Sequence, residues 1–449
     1  MEQNFIDIFS EKIHRSSDIE PELFEKYQVK RGLRNADESG VLVGLTNICE
    51  VVGFERIDGL IVPVEGRLIY RGIDINEITT GFQKDKRQGF EETIYLLFTG
   101  ELPDKPKLDE FSSILASHRD LPMEFIKSNM IPYLGTYIMN MLARNVLFLY
   151  TFDPKAEDTT QSNLVEQSIS LIARFPVIVV YSYHGMMHAN FRKTLYIRHP
   201  EPGLSTAENF LYMLKGEDNY TQLDADILDL CLVLHAEHGG GNNSSFTTRV
   251  TSSTGTDNYS SIASAIASLK GPFHGGANLR VLDMMENIKA NIKEWSNENE
   301  VLAYLIKILK KEVHNKTGKI YGTGHAVYTI SDPRTTLLKQ KARELAIEKG
   351  KLEEFELYSL VEKLAPLAFQ KFKDGNSKVL CANVDFYSGF VYACIGIPKE
   401  VFTPLFAIAR VAGWSAHRLE ELNFAAKRVI RPSYKYVGPC SSYIPIDQR

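Results

Sequence analysis

Residues 301–313 read VLAYLIKILKKEV. Leu302, Leu305, Ile308 and Leu309 recur at intervals of three and four, and the lysines fall largely off that stripe. This is the pattern of a helix with one apolar face. The runs LEEFELYSLVEKLAPLAF (352–369) and TPLFAIARVAGWSAHRLEEL (403–422) read the same way, with Pro404 placed where a helix start accepts proline. Strand signals are few. VLVGLTNICEVVGF (41–54) and GLIVPVEGRLIY (59–70) are β-branched, short and separated by Asp58-Gly59, which predicts a small ribbon near the N-terminus. FPVIVVYSY (175–183) stays open between a strand and a turn of buried helix, because so short an apolar run shows neither period. No alternation of strands and helices runs along the chain, so a doubly wound sheet is not expected. The fold class is all-α with minor β near the N-terminus.

With 449 residues the chain exceeds the size at which one hydrophobic core stops growing, roughly 250–300 residues, so a larger and a smaller domain are expected. A composition of 44% hydrophobic and 24% charged residues is that of a folded globular protein. The net charge of −5 offers no general attraction for nucleic acid, so an anionic ligand has to be met by local arginines and lysines. Five scattered cysteines with no Cys-x-x-Cys spacing argue against a disulfide framework or a thiolate zinc site and suit a reducing compartment. Residues 1–20, MEQNFIDIFSEKIHRSSDIE, read as neither a secretory signal nor a transit peptide, and a cytoplasmic protein is expected. The most membrane-like stretch, residues 129–152, is interrupted by Pro132, Asn140, Arg144 and Asn145 and reads as a buried helix.

Five segments combine glycine or proline with polar chemistry. They are LHAEHGGGNNSSFTTR (234–249), GPFHGGAN (271–278), YGTGHAVYTISDPR (321–334), NVDFYSG (383–389), and the pair of Arg410 in FAIARVAGW and Arg431 in VIRPSYKYVG. Each has a plain structural reading. His235 and His238, three apart on a helix, could be metal ligands or one core and one exposed histidine. GGGN could cradle a phosphate or end a helix. Asp385 could be an N-cap. Together, three glycine-flanked histidines, an aspartate and several arginines describe a site for small polycarboxylates with acid–base work.

In order and spacing, GPFHGGAN, GTGHAVY with DPR, NVDFYSG, RVAGWSAH and RPSYKYVG resemble the citrate synthase family; YRGIDI and FEETIYLLFTGELP nearer the N-terminus look like it too. The resemblance runs from about residue 67 to 440. It implies a large helical domain, residues 1–274 and 384–449, that carries dimerisation and the oxaloacetate site. It also implies an inserted smaller helical domain, residues 275–383, that binds CoA. The implied activity is that of an acyltransferase converting the acyl group to an alkyl on transfer, in the tricarboxylic acid cycle. Acetyl-CoA is the co-substrate, no cofactor is permanently bound and no metal is needed. Asp385 is then the base, His274 the donor to the thioester oxygen, and His325 the donor to the oxaloacetate carbonyl. His238, Arg334 and Arg410 map onto oxaloacetate-binding positions, and Arg431 onto the arginine supplied by the second subunit of a homodimer. His235 and His188 fall to supporting roles. For CoA, Gly322 and Gly324 let backbone approach the ligand, with Lys316, Lys319, Lys339, Lys341 and Arg343 as candidate phosphate cations. The helix ANLRVLDMMENI that follows His274 is expected to disfavour a protonated ring through its N-terminal field.

The chain departs from the commoner pattern at Glu237, where Asp is usual, at Ala326, where many bacterial members carry arginine, and at Ala382, where proline is frequent. Its segment 31–66 is longer than a minimal member needs. The rival readings are a 2-methylcitrate synthase using propionyl-CoA, a metalloenzyme ligated by His235, Glu237 and His238, and an inactive helical scaffold. Neither nucleic acid nor membrane is expected as a partner.

Overall fold

The computed structural model describes residues 2–37, 39–373 and 380–449, so the stretch 374–379 of the expected smaller domain lies outside the described residues. Helices dominate, as the periodicity predicts. Their starts follow local chemistry: Ser205 with Glu208 and Thr221 with Asp224 form reciprocal capping boxes, and Asp74, Asp257 and Asp332 each accept a backbone N–H from the first turn they precede.

By chain contacts the molecule divides into two units, Thr46–Val429 and Met1–Leu45 with Ile430–Arg449. The first holds the core, centred on the helices Gln161–Phe191 and Phe402–Asn423, whose Trp414, Arg410 and Arg418 are among the largest fully buried side chains. The run 175–183, open from sequence, is helical and lies within Gln161–Phe191. Being buried on all sides, it lost the amphipathic period that identifies a helix. Among the described residues, Gln161–Phe191 is also the one helix long and apolar enough to cross a membrane, and 72% of its most apolar window is buried in the fold. The stretch 129–152 differs from the single helix expected: a π-helical turn at Ile126–Met130 runs into its start, and regular helix begins only at Ile138.

The ribbon forms as three antiparallel strands, β1 (Cys49–Ile57), β2 (Leu60–Tyr70) and β3 (Ile73–Asp74), in that order. Asp58 and Gly59, with φ of 51° and 81°, make the tight turn between β1 and β2. The pairing shifts register between Val52 and Phe54. Residues 41–48 are not strand, so β1 is shorter than its β-branched run. The second unit contains the helices Glu2–Ser16 and Pro21–Lys26, with Phe5 stacked on Phe9 at 5.6 Å. Its C-terminal segment has little regular structure beyond the turn Ile446–Gln448.

Candidate active site

The helix Gln222–His235 ends inside the LHAEHGGGN segment, so His235 and His238 do not share a helix as expected: His235 is its last residue and His238 lies in the loop beyond. His235 is committed to structure. Its Nδ1–H donates to the Cys231 carbonyl at 2.6 Å, its ring meets Phe406 edge-on at 4.5 Å, and burial pulls its pKa down to about 3. His238 is buried as well. Burial first, then Arg334, His325 and Arg410, hold it well below the usual imidazole range, and its Nε2 has no protein partner. Its ring stands edge-on to His325 at 5.0 Å and to Tyr328 at 5.6 Å.

His274 sits in the turn after the helix Asn258–Lys270, where its own N–H bonds the Gly271 carbonyl at 2.9 Å. A Cβ at Gly275 would overlap the Leu269 carbonyl and stand 3.0 Å from Thr403 Cγ2, so the packing of the turn itself requires that glycine. The backbone N–H of Ser244 donates to His274 Nε2 at 3.3 Å, and the Ser244 hydroxyl lies 3.0 Å from the same nitrogen. An accepting Nε2 leaves the ring proton on Nδ1. Trp414 Nε1–H in turn donates to the Ser244 hydroxyl at 3.1 Å. The ring is neutral because burial, then Arg410, lowers its pKa to about 4.

The loops of His325 and Asp385 are tied to each other. Gly324 N–H bonds the Cys381 carbonyl at 2.8 Å, Asn383 N–H bonds the Gly322 carbonyl at 2.9 Å, and Thr323 bridges Ala382. Asn383 also donates Nδ2–H to the Gly324 carbonyl at 2.9 Å and accepts from Asp385 N–H at 3.1 Å. A Cβ at Gly322, whose φ is 76°, would stand 2.7 Å from Val281 and 2.8 Å from Phe386. A side chain there would collide with neighbouring protein, so the turn requires glycine for its own packing. His325 Nδ1 accepts both Val327 N–H at 3.0 Å and Tyr328 N–H at 3.1 Å, so its proton is on Nε2. Asp385 is not the N-cap, a place held by Val384, but the first residue of the helix Asp385–Ile395. Burial raises its pKa to about 6 against the pull of Arg334, with Asp332 adding to the rise.

Arg334 and Arg410 are both buried. Arg334 presents one edge to Asp332, Nε at 3.0 Å and Nη2 at 2.8 Å, which holds its pKa above the usual range. Arg410 donates Nε–H to the His235 carbonyl at 2.7 Å, but its Nη1 is buried with no partner. No carboxylate forms an ion pair with it among the described residues. Burial lowers its pKa and the Glu237 carboxylate offsets part of that through space, without a hydrogen bond, so an incoming anion that bonds the open Nη1 is favoured. Arg410 is close enough to His238, His274 and Asp385 to shift the ionisation of all three. Arg431 belongs to the other unit, where it is exposed.

Of the CoA candidates, Lys316 and Lys319 are exposed on the loop before Gly322. Lys339 pairs with Glu362 at 2.5 Å, Lys341 with Glu344 at 2.7 Å and Arg343 with Glu356 at 3.9 Å. Those three carry ion pairs on helix faces. His188 is exposed near the end of its helix, with Nδ1 bonded to the Lys193 carbonyl at 2.9 Å.

Sequence reading missed Ser244, Trp414 and a buried relay behind the His238 loop. Glu237 Oε1 accepts from His417 Nε2 at 2.9 Å, and Arg249 Nη2 donates to His417 Nδ1 at 2.7 Å. Arg249 also pairs with Glu420 and, at 2.9 Å, with Glu421. Burial would raise the Glu237 carboxyl, but His417 and Arg410 hold it below the usual range. His417 is the last residue of the quoted RVAGWSAH motif; that it touches Glu237 has no local signal. Among the described residues no three His, Cys, Asp or Glu side chains converge as a metal site. The ligand set proposed for a metalloenzyme is divided, since His235 Nδ1 is bonded to backbone and Glu237 to His417.

The family described as "Citrate synthase, C-terminal domain" matches residues 35–433. The chain is 33% identical to a citrate synthase of Haloferax volcanii, covering 94% of this chain and 99% of that one. It is 37% identical to a citrate synthase of Synechocystis, covering 88% and 90%. A 2-methylcitrate synthase of Shewanella oneidensis is 32% identical, covering 85% and 92%. Among solved structures, citrate synthase from Pyrobaculum aerophilum aligns with a TM-score of 0.74 at 30% identity, covering 92% and 94%. The ternary complex of carboxymethyl coenzyme A and oxaloacetate with citrate synthase from Thermoplasma acidophilum aligns at 0.76 with 26% identity, covering 94% and 99%.

Proposed function

Because the chain belongs to the citrate synthase family, we propose that it condenses acetyl-CoA with oxaloacetate and water to give citrate and CoA. The observation that carries the reading is Arg410, a fully buried guanidinium with an unpartnered Nη1 beside neutral His238 and His274. Such a group needs an anion, and a dicarboxylate supplies one.

Asp385 takes a methyl proton from acetyl-CoA. As the charge moves to the thioester oxygen, Nδ1–H of His274 donates to it; one such preorganised donor contributes about 2.7–4 kcal/mol. The enolate carbon attacks the oxaloacetate carbonyl carbon, and the carbonyl oxygen takes the Nε2 proton of His325. Water returns that proton to His325 as its oxygen attacks the citryl-CoA thioester; the CoA thiolate leaves with the proton held by Asp385, and the new carboxyl group gives its proton to solvent. His238, Arg334 and Arg410 hold oxaloacetate, and the second subunit of a homodimer adds Arg431. Lys316 and Lys319 are the cations left to meet CoA phosphates, with Lys339 drawn in only by leaving Glu362; backbone at Gly322 and Gly324 flanks the thioester arm. We assign residues 1–274 and 384–449 to the larger domain and 275–383 to the smaller one, which closes over the enolate and excludes water. The five free thiols fit a cytoplasmic enzyme of the tricarboxylic acid cycle.

The Shewanella relative favours one second reading, a 2-methylcitrate synthase. One methylene separates the substrates, worth about 1–3 kcal/mol in a pocket. Thiol release with oxaloacetate, compared for acetyl-CoA and propionyl-CoA as kcat/KM, decides between them. A preference for propionyl-CoA moves the assignment to methylcitrate.

A further inference from the structure

The longer N-terminal segment has a structural role at its C-terminal end. Gly53 lies at the register shift between Val52 and Phe54, and Gly66 lies on the facing stretch of β2, between the paired residues Pro63 and Arg67. A Cβ at Gly53 would overlap the Val327 carbonyl oxygen and stand 2.8 Å from the carbonyl carbon. One at Gly66 would overlap the Ser331 carbonyl oxygen and stand 2.8 Å from the Tyr328 ring. Both strands therefore rest backbone to backbone on the loop that carries His325, at the point where bulges commonly re-aim a strand beside a functional site.

We propose that the β1–β2 ribbon positions His325, with Gly53 and Gly66 as the positioning residues. The inference rests on the role given to His325 above. The chain of contacts is short. Gly53 packs on the peptide between Val327 and Tyr328; the N–H of that peptide, with the Val327 N–H one residue earlier, holds His325 Nδ1 and so keeps the proton on Nε2. The Tyr328 ring, stacked on His325 at 4.7 Å with the planes 27° apart, is in turn held from the ribbon side by its hydroxyl on the Arg67 carbonyl at 3.4 Å. Gly66 N–H donates to the Ser331 hydroxyl at 3.1 Å, and that hydroxyl bonds Glu65, which pins the far end of the loop. A methyl at Gly53 has only backbone to push against, so it displaces the peptides that orient the imidazole.

The test compares Gly53→Ala with Gly81→Ala, an exposed helical position whose Cβ meets nothing within 4 Å. Thiol release, thermal midpoint and the nitrogen NMR spectrum of labelled histidines are recorded for the full chain. Gly53→Ala is expected to lose about 100-fold in kcat, the usual penalty for a displacement near 1 Å, with KM for acetyl-CoA little changed. The His325 nitrogens are expected to lose the pure Nε2–H signature, while Gly81→Ala behaves as the parent. A folded Gly53→Ala with undiminished kcat and an unchanged His325 spectrum overturns the proposal, even if its midpoint falls. Should Gly53→Ala fail to fold, Ser331→Ala and Tyr328→Phe decide: a lower kcat at normal oxaloacetate binding supports it, and parental turnover in both overturns it. A parent chain that releases no thiol contradicts the functional reading instead, and the His325 spectrum still judges the ribbon.

Discussion

Ser244 donates its backbone N–H to Nε2 of His274 at 3.3 Å, and this bond decides which nitrogen faces the chemistry. With Nε2 accepting, Nδ1 carries the proton and the ring acts as a neutral donor. Removing it in His274→Ala is expected to lower kcat by about 10²–10³, the range for loss of one oxyanion donor, with the circular-dichroism spectrum of the fold unchanged. Steady-state kinetics check this, and a near-parental rate contradicts the role.

Asp385 has its pKa raised to about 6, so the acid limb of kcat/KM is expected near pH 6, with activity falling as the carboxylate protonates below it. His274, at about 4, stays neutral throughout that range.

The same shift makes Asp385 a burden on stability. Its folded-state pKa lies above the unfolded value, so the destabilisation grows as pH rises from about 4 through about 6 and is complete above that. Asp385→Asn is therefore expected to abolish turnover while stabilising the protein at pH 7 by up to about 2–3 kcal/mol, and to gain nothing near pH 3. Denaturant midpoints at the two pH values measure the difference.

The sequence made the helices and the principal catalytic candidates legible, for two physical reasons. Amphipathic periods show in helices with one wet face, such as Glu298–Leu309 and Leu352–Phe372. His274, His325 and Asp385 sit beside backbone that only glycine or a short polar turn can supply. What stayed hidden was contact between segments distant in sequence. Ser244 meets Trp414 and Glu237 meets His417 across about 170–180 positions, and no local pattern encodes which segment faces which. The glycines have a packing reason that the sequence did not show: a Cβ at Gly275 or Gly322 would overlap neighbouring protein atoms.

His417 closes the relay behind the His238 loop. His417→Ala leaves the Glu237 carboxylate buried without its donor, and a loss of about 3–5 kcal/mol is expected by urea denaturation. His417→Gln, which can donate to Glu237, is expected to recover much of that loss.

Arg410→Lys keeps the charge but loses the planar fork, and KM for oxaloacetate is expected to rise about 10–100-fold for loss of a charge-assisted bond. Arg431→Ala is expected to raise the same KM without lowering the midpoint, since Arg431 is exposed in its unit. Unchanged oxaloacetate binding in Arg431→Ala contradicts its contribution to the site.

The central claim is carbon–carbon bond formation driven by Asp385. Its most direct test is release of free CoA thiol from acetyl-CoA on addition of oxaloacetate, with citrate quantified in the same sample. The predicted result is one citrate per thiol released by the parent chain and neither product from Asp385→Asn. Thiol release that needs no oxaloacetate, or none at all from the parent chain, contradicts it.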